Sequence, residues 1–307
     1  MKIIRAPNEL PTGGKKCCLA VGFFDGVHLG HQQIIRQALA DARQHDALAV
    51  VVTFDRHPNA VVAPDKVPPL IYSPTQKWRA LESLGVENVR LMTFDKPFSE
   101  QSPEEFIRNL VREFGKIHSI CVGANFVFGH RRRGNVALLR KLGAEWNFHV
   151  HGLAAVALDG EIVSSTRLRQ KIQAGELDVA SQMLGRPYSI AGPVIAGDRL
   201  GRRLGFPTAN LDVTGLVLPP DGVYAGCVKW NGHFYRAALN IGCRPTVAPG
   251  PPRRRVEVHL LDFDGDLYGA ELEVEVGEKL RAEQKFASLD ELRAQIARDV
   301  AAVRAIN

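Results

Sequence analysis

The pattern of the chain changes once, near Arg186-Pro187, and that change limits the folds open to it more than any other feature. Upstream, the apolar runs CCLAVGFF (17–24), ALAVVVTF (47–54), VENVRLMTF (86–94) and SICVGANFVF (119–128) alternate with segments of helical period. Apolar runs of this kind are the mark of strands covered on both faces. Strand–helix alternation predicts a parallel, doubly wound sheet, whose ligands lie at the carboxyl ends of the strands. Its helices carry start signals: Ser73-Pro74, and the capping box Ser102-Pro103-Glu104-Glu105 with proline at the first helical position. Downstream the period becomes two. GVYAGCVKWNGHFYRAALNIG (222–242) alternates about Asn231-Gly232 and VEVHLLDFDGDLYGAELEVEV (256–276) about Asp264-Gly265, and both dipeptides read as hairpin turns. A small closed antiparallel barrel hides the edges of such strands. A final helix opens with Ser288-x-x-Glu291 and is apolar at Leu292, Ile296, Val300 and Val303. Two domains are expected, 1–187 and 188–307.

Composition narrows the class. With 45% hydrophobic and 23% charged residues over 307 positions, the chain is neither disordered nor fibrous. Its five cysteines, Cys17, Cys18, Cys121, Cys227 and Cys243, show no C-x-x-C spacing, so neither a disulfide framework nor a structural zinc site is indicated. There is no apolar signal core and no apolar stretch long enough to cross a bilayer, so a soluble cytoplasmic protein is expected. The net charge of +6 falls wholly in residues 1–187, with 24 Lys+Arg against 18 Asp+Glu, while 188–307 hold 15 of each. Such an excess suits nucleic acid and a phosphate-rich small ligand equally.

The first apolar run leads into His28-x-Gly30-His31 at the start of a helix. Unpaired N–H groups and the helix dipole favour an anion there, and imidazole N–H groups add donors for phosphate. A helical zinc pair would need histidines at i and i+4 beside a glutamate, and neither is present. Taken alone, H-x-G-H is equally a turn histidine and a helix cap. A second helix start, Ser164-Ser165-Thr166 followed by Arg169, is by itself a set of caps; hydroxyls with an arginine one turn on also make an anion cradle. No Walker-type G-x-x-x-x-G-K-[ST] occurs.

Together, H-x-G-H and SST-x-x-R resemble the nucleotidylyltransferase superfamily. The strings GFFDGVHLGHQQII, TFDRHP, VGANFVFGHRRRGN and VSSTRLR resemble its flavin branch. GDRLGRRLGFPTANL, PPDGVYAG, NIGCRPTV, VEVHLLDFDGDLYG and LRAEQKFASLDEL in the second half look like riboflavin kinase. Nearly the whole chain, in order, resembles the prokaryotic bifunctional FAD synthetase family. The resemblance implies a Rossmann-like adenylyltransferase domain followed by a riboflavin kinase barrel with a terminal helix. It also implies ATP-dependent conversion of riboflavin to FMN and of FMN to FAD, with Mg²⁺ accompanying ATP.

Residue by residue, the resemblance implies that His28, His31 and Arg169 act on the ATP phosphates. Gly22, Phe24, Asp25, Gly30, Ser164, Ser165 and Thr166 would help to bind ATP, and Asn125 and His57 would contact flavin. In the second half it makes Glu257 the catalytic base. Thr208 and Asn210 would hold Mg²⁺, with Asn210 also near flavin, and Gly197, Gly201, Arg202, Gly205 and Pro207 would shape an ATP loop. Without the resemblance, Glu257 between Val256 and Val258 reads as a charge on the solvent face of a strand, and 197–205 as a basic glycine-rich turn. Arg131–Arg133 read as a solvated loop or a phosphate contact, and Arg203 adds charge beside Arg202. Two positions depart from the family pattern: Arg56 stands where proline is usual, and Val127 where arginine is common. They leave open a single-activity riboflavin kinase with a decayed adenylyltransferase, beside a non-enzymatic flavin- or nucleotide-binding regulator and an RNA-binding protein. The implied partners are riboflavin, FMN and ATP, with no nucleic acid and no membrane, on a monomer or weak homo-oligomer.

Overall fold

The structure is a computed structural model that describes residues 1–6, 9–10, 13–198, 200–243 and 254–306. The chain forms two compact units, Met1–Pro68 with Lys77–Ser165, and Pro69–Gln76 with Thr166–Asn307.

The first unit is built on six parallel strands: β1 (Lys2–Ile4), β2 (Cys17–Val21), β3 (Leu48–Phe54), β4 (Asn88–Met92), β5 (Ile117–Gly123) and β6 (His149–Leu153). Their order is β1-β4-β3-β2-β5-β6. The four expected runs become the four central strands, while the edges β1 and β6 come from segments with no apolar run. Helix α1 (Leu29–Gln44) follows β2, α2 (Pro74–Glu82, whose first three residues and Ser73 cap are counted with the second unit) and α3 (Pro103–Phe114) flank β4, and α4 (Val136–Trp146) precedes β6. One face of the sheet presents Leu19, Val50, Val52, Ile120 and Val122 to Phe106, Ile107 and Leu110 of α3 and Leu139 of α4. On the other face Ser119 donates to Asp41 of α1 at 2.6 Å. The capping signals are realised: Ser73 Oγ accepts from Gln76 N at 3.3 Å and Ser102 Oγ from Glu105 N at 3.2 Å, with Glu105 reaching back to Ser102 N. After β4 the chain crosses to the far side of β2, so the switch point lies between β2 and β5.

In the second unit α5 (Ser165–Ala174, opening on the last residue of the first unit) and α6 (Leu177–Leu184) precede a closed barrel. Its strands are β7 (Ser189–Ile195), β8 (Ala209–Leu211), β9 (Gly222–Trp230), β10 (His233–Cys243), β11 (Arg254–Leu260) and β12 (Glu271–Arg281). They run in the order β7-β8-β11-β10-β9-β12, antiparallel throughout, and β12 closes on β7. Leu239, Ile241, Val256, Val258, Leu272 and Val274 are fully buried along one face of their strands. A short helix α7 (Leu200–Leu204) lies between β7 and β8, and α8 (Leu289–Ala305) ends the chain, laying Val300 and Val303 on Ala225 and Leu261. Ser288 caps α8, accepting from Glu291 N at 3.2 Å, but the Glu291 carboxylate accepts from Ala287 N instead of closing the box on Ser288.

One of the two expected hairpin turns is made. Asn231 and Gly232, at φ 50° and 82°, form the two-residue loop between β9 and β10. Asp264-Gly265 is not a hairpin turn: it lies in the connection between β11 and β12, which do not pair with each other. Barrel closure is the reason, since β12 is taken up between β9 and β7 and β11 between β8 and β10.

Candidate active sites

In the first unit the chain leaves β2 at the switch point and turns sharply before α1. Phe24 (φ 56°), Gly26 (φ 76°) and Val27 (φ 42°) are all left-handed, a cost that only a well-held turn sustains. Side chains hold its carbonyls: Lys77 Nζ donates to Phe23 O at 2.5 Å, Ser165 Oγ to Asp25 O at 3.2 Å, and Gln32 Nε2 to Val27 O at 3.0 Å. His28 is then the N-cap of α1, its Nδ1 accepting from His31 N at 3.4 Å, and the two rings stack with centroids 3.6 Å apart. The Phe24 ring meets His31 edge-on at 5.3 Å and folds over Gly22, where a Cβ would lie 3.0 Å from it. At Gly30 a Cβ would come within 3.3 Å of the His28 ring, so this glycine lets the imidazole lie flat on the helix start. Both histidines thus sit at the amino end of a sixteen-residue helix, the end at which the helix dipole favours an anion.

Other expected residues converge on the same strand ends. His57, beyond β3, meets the Phe23 ring edge-on at 5.0 Å, and its Nδ1 accepts from Asn59 N at 3.1 Å. Asn125 is exposed just past β5, as are Val127 and the run Arg131–Arg133. Arg56 is held by Asp55 at 2.9 Å. Ser164 and Ser165 close this unit at the start of α5; Thr166 and Arg169 belong to the second unit, where Arg169 Nε donates to Pro69 O at 2.7 Å.

The barrel carries a cavity of about 330 Å³ on the outer side of β8, β11 and β10. Register explains its polar wall. Glu257 is paired with Asn210 on one neighbour and Asn240 on the other, and directly paired residues project from the same face. Their flanking residues, Ala209, Leu211, Val256, Val258, Leu239 and Ile241, are buried, so the three polar side chains form one half-buried row across three strands. Thr208 joins it two residues before Asn210, and α7, Phe286, Leu292 and Ile296 supply an apolar lip. Gly197 lies so close that a Cβ there would be 2.3 Å from the Asn210 amide nitrogen, and one at Gly201 would be 3.2 Å from Thr208 Oγ1. The loop therefore packs its backbone against these two side chains. Their hydroxyl and amide oxygens are hard donors of the kind Mg²⁺ takes, so the residues fit that ion. Gly205 ends α7 at φ 90°, while Arg202, Arg203, Gly205 and Pro207 are exposed and do not line the cavity. In NIGCRPTV, residues 244–247 lie outside the described residues.

Three residues beyond the expected ones stand at these sites. Asn240 completes the row. His259 lines the cavity beyond Glu257. Lys77 is buried, also donates to Thr53 Oγ1 at 2.7 Å, and burial pushes its ammonium down to about 7 against the opposing pull of Asp25. Asn240 and His259 alternate with apolar residues as Glu257 does, which was the available signal; Lys77 gave none.

The family model of FAD synthetase matches residues 11–167, and that of riboflavin kinase matches residues 184–307. The chain is 39% identical over 301 residues to the bifunctional riboflavin kinase/FMN adenylyltransferase of Escherichia coli K12, covering 97% of this chain and 96% of that one. This chain belongs to that family. The bifunctional riboflavin kinase/FMN adenylyltransferase of Pseudomonas fluorescens is 38% identical, with 100% of this chain and 98% of that one covered. A solved structure, described as a macrolide-efflux protein from Streptococcus pneumoniae, shares 30% identity at a TM-score of 0.84 over 100% of both chains. Among the described residues no helix is long and apolar enough to cross a membrane. The family's two domain models fall on the two folds: H-x-G-H lies in the FAD synthetase match, and the Asn210–Glu257–Asn240 row in the riboflavin kinase match.

Proposed function

We propose that this chain makes FAD from riboflavin in two ATP-dependent steps, with the functional boundary at 187/188. The observation that carries this is the polar row Asn210–Glu257–Asn240 walling a cavity in the riboflavin kinase half, in a chain whose other half sets H-x-G-H at the switch point of a doubly wound sheet.

In the barrel the terminal ribityl hydroxyl of riboflavin attacks the γ-phosphorus of ATP, its proton passes to Glu257, and ADP leaves. Thr208 and Asn210 hold the Mg²⁺ that travels with ATP; when bound, that ion neutralises charge on the phosphates. Gly197 and Gly201 let the loop close on those two residues, while Gly205, Pro207 and Arg202 shape its outer turn, and Asn210 also faces the flavin. In the α/β half a phosphate oxygen of FMN attacks the α-phosphorus of a second ATP and pyrophosphate leaves. That phosphate is already ionised, so no strong base is required, and positioning with charge neutralisation does the work. His28 and His31 donate to ATP phosphate oxygens at the helix start. Gly22, Phe24, Asp25 and Gly30 form the turn beneath them, and Ser164 and Ser165 add hydroxyls. Thr166 and Arg169 are assigned to ATP on their place in SST-x-x-R, and Asn125 and His57 to the flavin.

The test is a product assay: purified chain with riboflavin, excess ATP and Mg²⁺, and in parallel with FMN in place of riboflavin, the flavins separated by chromatography. FAD from both starts is expected. FMN as the end product, with supplied FMN untouched, would leave a riboflavin kinase alone.

A further inference from the structure

We propose that His259 is a positioning residue for phosphoryl transfer, clasping the segment that leads into Thr208 and Asn210 to the strand that carries Glu257. This rests on the reading of the barrel cavity as the riboflavin kinase site. His259 stands two residues after Glu257 on β11, with the fully buried Val258 between them, so both side chains leave the outer face. Its ring reaches across to the segment before β8: Nδ1 lies 2.7 Å from the Pro207 carbonyl oxygen, and Phe206 meets the ring edge-on at 5.7 Å. A carbonyl only accepts, so Nδ1 carries the proton, and in the neutral ring Nε2 is left as an acceptor.

The position of this bond gives it its consequence. The β8–β11 ladder consists of three pairs, Leu211↔Val256, Asn210↔Glu257 and Ala209↔Val258, and stops there. Continued by one step, the same register would set Thr208 opposite His259. Thr208 therefore lies just beyond the last backbone pair, and the residue before it is a proline with no N–H to extend the ladder. The imidazole takes over where the backbone cannot, fixing the carbonyl one residue before Thr208. Motifs some fifty residues apart in sequence are thereby held at one spacing, Thr208 and Asn210 on one strand and Glu257 on the next. In-line displacement is sensitive to that spacing, since a misplacement of ~1 Å can cost about 10²-fold in rate.

The test compares three variants of the full chain. His259→Leu removes the donor, His259→Asn keeps an N–H near the Nδ1 position, and His259→Gln moves it out toward Nε2. Riboflavin phosphorylation is measured as kcat and as KM for ATP with Mg²⁺, and adenylylation of supplied FMN reports the integrity of the other site. We expect His259→Leu and His259→Gln to raise KM for ATP and lower kcat by about 10- to 100-fold, His259→Asn to recover to within about threefold of wild type, and adenylylation to be unchanged. If His259→Leu unfolds the barrel, seen as loss of its thermal transition, the contrast between Asn and Gln carries the test alone. Wild-type phosphorylation in His259→Leu, or equal loss in the Asn and Gln variants, overturns the proposal. Absence of phosphorylation in the wild type instead overturns the reading of the cavity on which it rests.

Discussion

The two units place their polar groups by opposite means. The α/β unit builds its candidate site from connections: a left-handed turn after β2, the start of α1, and residues past the ends of β3 and β5. The barrel builds its own from strand interiors, where Asn210, Glu257 and Asn240 take the face opposite the buried core in three neighbouring strands. In the first case geometry is set by how firmly a turn is held, in the second by register. Damage should follow the same division: the loop site answers to residues that pin its backbone, and the sheet site to residues in its row and at the ladder's end.

Glu257→Gln should separate the two sites most strongly. It keeps shape and register and removes the proposed base, so riboflavin phosphorylation should fall by about 10²- to 10⁴-fold while adenylylation of supplied FMN stays near wild type. Equal loss of both activities, followed by chromatography of the flavin products, would end the assignment. His28→Ala is the converse. Loss of the donor to phosphate proposed at His28 should slow FAD formation by about 10²- to 10³-fold, and FMN should accumulate from riboflavin. An undiminished FAD yield would remove His28 from the chemistry.

Legibility divided along the same line. The four central strands of the sheet could be read because burial on both faces leaves uninterrupted apolar runs. The edge strand Lys2–Ile4 is three residues long and carries no period, and His149–Leu153 is interrupted by histidine and glycine. In the barrel, alternation fixed which residues face outward but not which strands are neighbours, because period two is the same whatever the partner. That is why Asp264-Gly265 read as a hairpin turn although β11 and β12 do not pair. It is also why Glu257 without the family resemblance was a charge on a solvent face: what lifts it from that description is Asn210 on one side and Asn240 on the other. The two histidines of the loop site stand at a helix start, but H-x-G-H alone reads equally as a turn histidine and a helix cap; SST-x-x-R and the family resemblance are what single them out. Lys77 was not legible, since in PTQKWRALE it has the look of any helix lysine.

Lys77 makes the stability of the loop site depend on pH. Its ammonium supports the strained turn from within, and burial lowers its folded-state value to about 7 from 10.5. Between those values the unfolded chain binds the proton that the folded chain has released, so stability contributed by this group rises with pH. Below about 7 both states carry the charge and the full cost of burying it remains. Relative to Lys77→Met, the wild type should therefore gain up to about 1.4 kcal/mol per pH unit as pH rises from about 7 toward 10, measured by denaturant unfolding of both proteins across that range. A constant difference between the two would mean that the ammonium is not desolvated in solution.

The smallest effect tests whether a well-formed local signal matters away from either site. Ser102 caps α3 in a reciprocal box with Glu105, and α3 places Phe106, Ile107 and Leu110 in the core of the sheet. Ser102→Ala leaves Glu105 N without its acceptor and should cost about 1 kcal/mol, lowering the melting temperature of the α/β unit by ~2–4 °C. The cap touches neither H-x-G-H nor the barrel row, so both activities at 25 °C should match wild type. A selective loss of FAD formation would show that the loop site depends on the seating of α3 as well as on its own turn. The division between a site set by a pinned backbone and one set by register would then need a third element, the helix that packs beneath the strand ends.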